Sequence, residues 1–314
     1  MPYKKNSHLI RIHLSVLLFG ATALFPRFID LSAPYIVLGR VFFASLILFL
    51  IKIGIKDGLY LSKKKDYILL PCSGILLALH WMAFFHSVHI STIAIALITF
   101  TSFPIFTTFL EPLFFREKID KKNILLAVIT FIGVLLIIPK FEFRNHITQG
   151  VIFGILSGFC FSLLSVLNKK YTRDYKSTSI AFYQNLGATI FLLPLLWISQ
   201  PYVKTNDIVL LVILGVVFTA LAHSLFIGSL KKIKAQTASL IACMEPLYGI
   251  IIAAIVIDEI PDFRIFIGGI IIIATTTIST IRSQRRIKKV EKTKAYFREI
   301  KKGDPPKWTS ITKP

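Results

Sequence analysis

Acidic residues are scarce in this chain. Its 314 residues hold 16 Asp and Glu against 37 Lys and Arg, and charged residues of both signs make up only 17%, where a soluble globular domain carries about a quarter. Cysteine is nearly absent: Cys72, Cys160 and Cys243 are odd in number, far apart and set in apolar stretches. This excludes a disulfide scaffold and cysteine-based metal spacing, and the three read as small core residues. There is no GxxxxGK[ST] phosphate loop, so ATP hydrolysis by the chain itself is not expected. HExxH and a nucleophile elbow are missing too, and almost all acids fall in loops or termini. Neither a catalytic centre nor a metal or other cofactor is therefore expected.

What the chain has in abundance is apolar length. Hydrophobic residues make up 54%, 27 of them Phe, and the mean hydropathy is +0.70. A bilayer core of about 30 Å needs roughly 20 apolar residues as a helix. Ten such stretches run near 9–28, 34–53, 67–87, 92–114, 122–139, 149–167, 179–198, 207–229, 236–257 and 263–281. They are continuously apolar rather than alternating, which excludes a barrel. The expected fold class is an all-α integral membrane protein of ten transmembrane helices. Lys4 and Lys5 before the first stretch, and Ala21-Thr22-Ala23 near its end, imitate a secretory signal. The reading adopted keeps this helix in the mature chain, because the repeat described below needs it.

The net charge of +21 would suggest nucleic acid on a soluble protein, but here its distribution decides. With a cytoplasmic N-terminus, 31 of the 37 Lys and Arg fall on inside segments, five on outside loops, and Arg40 lies within a span. Positive charge collects on the cytoplasmic side. The expected partners are membrane lipid and no nucleic acid, with both termini cytoplasmic in an inner (plasma) membrane. The basic tail 282–314 reads as solvated orientation charge or as a segment lying on anionic headgroups.

Residues 95–117 (IALITFTSFPIFTTFLEPLFFRE) align with 237–259 (TASLIACMEPLYGIIIAAIVIDE) at an offset of 142, which pairs Pro104 with Pro246 and Glu117 with Glu259. The same offset puts Trp81 on His223, and a slightly different one puts Arg40 near Gln184. The expected organisation is a cytoplasmic N-terminus 1–8, a first repeat 9–139, an outer linker 140–148, a second repeat 149–281 and the tail 282–314. Five spans per repeat is an odd number, so the second repeat enters the membrane from the opposite side. Such inverted halves enclose a midplane site in many secondary transporters.

The segments MEPLYGIIIAAIVIDE (244–259) and FYQNLGATIFLLP (182–194), with Arg40 in the second span, resemble the EamA family of the drug/metabolite transporter superfamily over residues 9–282. The resemblance implies ten helices in two five-helix halves. It also implies a small-molecule substrate (amino acid-like or a related metabolite), export across a bacterial inner membrane, and a cavity lined by the third and eighth helices.

Ionisable groups inside a bilayer are costly and are functional candidates by default. Glu245 lies about 14 Å into the ninth span at 1.5 Å per residue and suits either proton coupling or a structural hydrogen bond. Pro104 and Pro246 read as paired kinks that either let the halves rock or form static bends. Arg40 either snorkels, pairs with a carboxyl, or takes part in coupling and gating. His80, Trp81, Tyr183, Gln184, His223 and Glu245 form the candidate substrate cavity, with ordinary helix packing as the competing reading for each histidine. Tyr183, Gln184 and Asn185 are consecutive, so at most two face one cavity. The expected function is a secondary transporter of small organic metabolites working by alternating access. A non-transporting membrane enzyme or scaffold on the same helices is the alternative. Protons are a candidate coupling partner, and a homo-oligomer is compatible with the chain.

Overall fold

The computed structural model describes residues 3–56, 58–115, 121–137, 142, 144–231, 238, 241–275, 277–278 and 281–282. The basic tail beyond 282 and the loop 116–120, with Glu117, lie outside them. Among the described residues there is no strand, as the unbroken apolar runs require: in lipid every backbone N–H must find its acceptor within the segment. Seven helices are long and apolar enough to cross a membrane: α1 (Ile10–Phe28), α2 (Ala33–Gly54), α3 (Asp66–Ile90), α4 (Ile93–Phe114), α6 (His146–Tyr171), α7 (Ser177–Ile198) and α8 (Thr205–Leu230). Three shorter apolar helices complete the count of ten: α5 (Ile124–Ile137), α9 (Glu245–Ile257) and α10 (Phe263–Thr275). Outward-facing side chains such as Phe131, Ile190, Ile255 and Phe266 leave the bundle surface apolar, as lipid contact demands. Cys160 and Cys243 are buried, whereas Cys72 lies on that outer surface, so only two of the three cysteines are core residues.

Two ends of the bundle are distinguished by their loops. The Arg27 face carries residues 29–32, 91–92, 199–204 and 258–262. The Lys63 face, at the other end of α2, carries 55–56, 58–65 and 172–176.

Several helices are interrupted. α4 breaks at Thr101–Ser102, and the turn Cys243–Met244 precedes α9. These two breaks lie at the 142-residue offset of the sequence alignment. Pro104 and Pro246 are each the second residue of the helix that resumes, so they start a new segment rather than kink a continuous one. The physical reason is that a first-turn N–H has no acceptor within its helix, so proline's missing donor costs nothing there.

Small residues let the backbones close up. A Cβ on Gly74 of α3 would strike the Gln184 carbonyl of α7, and one on Gly215 of α8 would lie 2.8 Å from the Arg40 carbonyl of α2. These are the same contact at offsets of 141 and 144. Gly187 likewise meets the Pro71 backbone, and Gly20 of α1 meets the Glu245 carbonyl and Gly249 of α9. Such close approach is how membrane helices gain dispersion energy without a hydrophobic driving force.

Candidate functional site

The interior layer is built around Arg40, which is fully buried. α2 carries it seven residues in from the Arg27 face, about 10 Å at 1.5 Å per residue. Its guanidinium lies 3.5 Å over the centre of the Trp81 ring of α3 and 5.2 Å from that of Phe85. From the far side, α8 holds it. The Nε donates to Thr219 Oγ1 at 2.9 Å and Nη2 to the Phe218 carbonyl at 3.4 Å. These acceptors are available because α8 widens into a π-helical turn at Val216–Leu221, where the Thr219 hydroxyl donates to the Leu214 carbonyl five residues back at 2.7 Å. Single π turns are rare and recur at functional sites. Nη1 has no hydrogen-bond partner among the described residues.

His223 sits four residues beyond Thr219, is 3% exposed, and has neither ring nitrogen paired among the described residues. Arg40 lies within electrostatic reach of both His223 and His80. His80 is different in kind. Its Nδ1 meets Ser157 Oγ at 2.8 Å and the Ser157 carbonyl at 3.2 Å, and its ring packs among Trp81, Phe100 and Phe161. It therefore ties α3 to α6.

Glu245 opens α9 and is 4% exposed, and no hydrogen bond or ion pair reaches its carboxylate from the described residues. It lies across α1 from the arginine: Phe19 of α1 packs edge-on to Trp81 at 6.4 Å, and the next residue, Gly20, touches the Glu245 backbone. The structure thus gathers Arg40, His80, Trp81 and His223 into one layer, with Glu245 one helix away.

Gln184 and Tyr183 belong elsewhere. Gln184 is fully buried and donates through Nε2 to Ser73 Oγ at 3.0 Å and Asn168 Oδ1 at 2.7 Å. Tyr183 points toward the Lys63 face, where its hydroxyl donates to the Leu59 carbonyl and its ring meets Tyr67. It lines a shallow apolar groove between α2 and α7 with Phe42, Phe49 and Leu186.

Both faces are tied across the chain. On the Arg27 face, Arg27 pairs with Glu259 at 3.1 Å and donates to the Ser91 carbonyl at 2.9 Å, while Glu259 also accepts from the Ile93 N–H at the start of α4. Beside it, Lys204 pairs with Asp30 at 2.7 Å, and Asp207 accepts from the Asp30 N–H. On the Lys63 face, Lys63 pairs with Asp174, and Asp66 accepts from the Tyr175 hydroxyl. These two clasps use one motif, Lys-x-x-Asp, at 63–66 and 204–207. The Lys204 ammonium holds the Asp30 carboxyl below its ordinary range, and Asp174 raises Lys63 above its own. Among the described residues no group of three or more His, Cys, Asp and Glu is placed to hold a metal ion.

Sequence reading missed Thr219, Ser157 and the clasps. The π turn has no compositional signature, and Ser157 is an ordinary small residue. The clasps did carry a signal in the Lys-x-x-Asp motif, which repeats at an offset of 141 at two opposite ends of the bundle.

The EamA-like transporter family matches this chain twice, at residues 7–138 and 148–281. The chain is similar to an uncharacterized transporter of Bacillus subtilis (strain 168), 23% identical over 289 residues that span 90% of this chain and 92% of that one. It is also similar to an S-adenosylmethionine uptake transporter of Rickettsia conorii, 26% identical over 242 residues, 76% of this chain and 79% of that one. A protein of solved crystal structure superposes with a TM-score of 0.65 over 89% of this chain and 97% of its own at 14% identity, a likeness of fold alone. With the family matching both halves of a bundle of apolar helices, the chain belongs to the EamA-like transporter family, and is a multi-pass membrane transporter of a small molecule rather than an enzyme.

Proposed function

We propose that the chain is a secondary transporter of small organic metabolites, with amino acid-like compounds as the substrate class, working by alternating access between two inverted halves, 9–139 and 149–281. The carrying observation is the interior layer, where Arg40 of the first half and His223 of the second keep buried polar atoms without partners at least seven residues from either end of their helices. Buried polar groups are ordinarily paired, and unpaired ones contributed by the two halves within electrostatic reach of each other suit a polar ligand. Inversion is supported by the reciprocal Gly74–Gln184 and Gly215–Arg40 contacts, by helix breaks at one offset, and by matching clasps at opposite faces.

The charge bias of the loops supports a reading with the Lys63 face and both termini in the cytoplasm and the protein in an inner membrane. Anionic lipid is then the partner of the basic loops. Glu245, buried and unpaired, is the proton-coupling residue of this reading, with Pro104 and Pro246 marking the segments that move. Export is the direction the family resemblance favours; the rickettsial relatives are named for uptake.

Proteoliposomes loaded with candidate amino acids or S-adenosylmethionine, with and without a pH gradient, test all of this. The expected result is gradient-driven flux that Glu245→Gln uncouples while leaving substrate exchange in place. Gradient-driven flux unchanged by Glu245→Gln removes the coupling role. No flux of any compound in either direction removes the substrate class.

A further inference from the structure

We propose that Arg40 is the receptor for an anionic group on the substrate, and that the π-helical turn of α8 exists to aim it. This rests on the transporter site proposed above and names the chemistry of one end of its ligand.

Arginine stays protonated even when buried, so the charge on Arg40 is permanent. Taking a charge out of water is compensated only by an opposite charge and by satisfied donors. Arg40 has neither in full. No Asp or Glu among the described residues forms an ion pair with it, and its Nη1 donates to nothing. The Trp81 face offers a cation–π contact at 3.5 Å, which supports the cation without neutralising it.

The geometry then says which edge of Arg40 receives an anion. Trp81 covers a flat face of the guanidinium, and α8 takes Nε and one donor of Nη2. The remaining edge, with the Nη1 donors, is the one that receives a carboxylate or phosphate in the two-pronged manner characteristic of arginine. His223, one turn past Thr219 and with both nitrogens unpaired among the described residues, lies within electrostatic reach of the guanidinium. The Thr219 hydroxyl does two things at once: it accepts from Arg40 Nε and donates to the Leu214 carbonyl. A regular α-helix gives a threonine at this position a partner only three or four residues back. The π turn thus fixes the rotor that fixes the arginine. Thr219 is a positioning residue and Arg40 a binding one.

The test uses the full chain in nanodiscs of phosphatidylethanolamine and phosphatidylglycerol. Thermal midpoints are recorded with L-methionine, L-phenylalanine and S-adenosylmethionine, each offered as the free acid and as its carboxyl methyl ester, and with inorganic phosphate. The expected result is that acids raise the midpoint and esters do not. Thr219→Val keeps the charge of Arg40 but removes its latch, and weakens acid binding roughly tenfold. Arg40→Gln weakens it about 100-fold or more, and Arg40→Lys restores only part, because an ammonium lacks the fork. Ligand-free midpoints of each variant separate loss of fold from loss of binding.

Esters that stabilise as well as acids overturn the proposal, as does unchanged acid binding in Arg40→Gln, or a panel in which no acid acts. Proteoliposome flux of the free acids equal in wild type and Arg40→Gln also overturns it while leaving the transporter reading in place. Acid-selective binding without any flux does the reverse.

Discussion

Arg27 and Glu259 meet 3.1 Å apart at the end of α1 and just past α9, 232 residues apart in sequence. Glu259 also accepts from the Ile93 N–H, so one carboxylate joins three helices where the chain closes over the Arg27 face. Both side chains keep some exposure, 29% and 18%, which bounds the pair at about 1 kcal/mol. Glu259→Gln is expected to shift the balance toward a form open at this face by roughly fivefold. Labelling of a cysteine placed at Ser91 by a membrane-impermeant reagent, in a variant lacking the three native cysteines, reads the shift. A labelling rate equal to that of the Glu259 parent denies the pair a latching role.

Glycine at the helix crossings has a sharper cost. Gly74→Ala and Gly187→Ala each push a methyl into facing backbone rather than into a flexible side chain, and overpacking of this kind costs about 1–3 kcal/mol. Gly54→Ala, with nothing within 4 Å of its Cβ, is the control and should leave the thermal midpoint in detergent unchanged or raised. Equal midpoints for all three variants would show the crossings to be looser than described.

His80 and His223 should separate cleanly. His80 is hydrogen-bonded to Ser157 and packed by aromatic rings, so His80→Ala is expected to cost about 2–5 kcal/mol through the cavity and the lost bond. His223→Gln keeps a donor and an acceptor where no partner is lost, and should change the midpoint little while lowering substrate flux several-fold. The two effects are read by unfolding in detergent and flux in proteoliposomes.

The clasps respond to pH and salt in opposite windows. Asp30 is held below its ordinary value of 3.8 by Lys204, so its contribution is complete above that value and is lost as pH falls through the lowered one. Lys63 is raised above 10.5 by Asp174, so its contribution is complete below 10.5 and fades as pH rises through the raised one. Between these limits neither clasp should make stability depend on pH. Both are at the surface and are screened by salt. Lys63→Gln with Lys204→Gln should therefore reduce the difference in midpoint between low and high salt at pH 7. A salt response undiminished in the double variant assigns the effect elsewhere, to pairs such as Arg27–Glu259.

The helices were legible because length and hydropathy act on every residue of a span. Arg40, Trp81 and His223 were legible for the same energetic reason, since charge and polarity in lipid need an explanation. Tyr183 is adjacent to Gln184 in sequence, but successive residues on a helix diverge by about 100°, and its hydroxyl donates to a carbonyl at the Lys63 face instead. Pro104 and Pro246 were visible as features, yet whether a proline bends a helix or begins one depends on the preceding turn, here Thr101–Ser102 and Cys243–Met244. Thr219 was invisible because its role comes from one extra residue of backbone in a turn, which no side-chain pattern records.

Each clasp fastens a loop of the first five helices to a loop of the last five, and the glycine crossings do the same in the interior. Cohesion therefore resides in contacts between the two pieces rather than in the covalent link between α5 and α6. Severed between them and produced as separate polypeptides in one membrane, the fragments are expected to find one another through these complementary surfaces, the state from which a gene fusion of two once-independent subunits would begin.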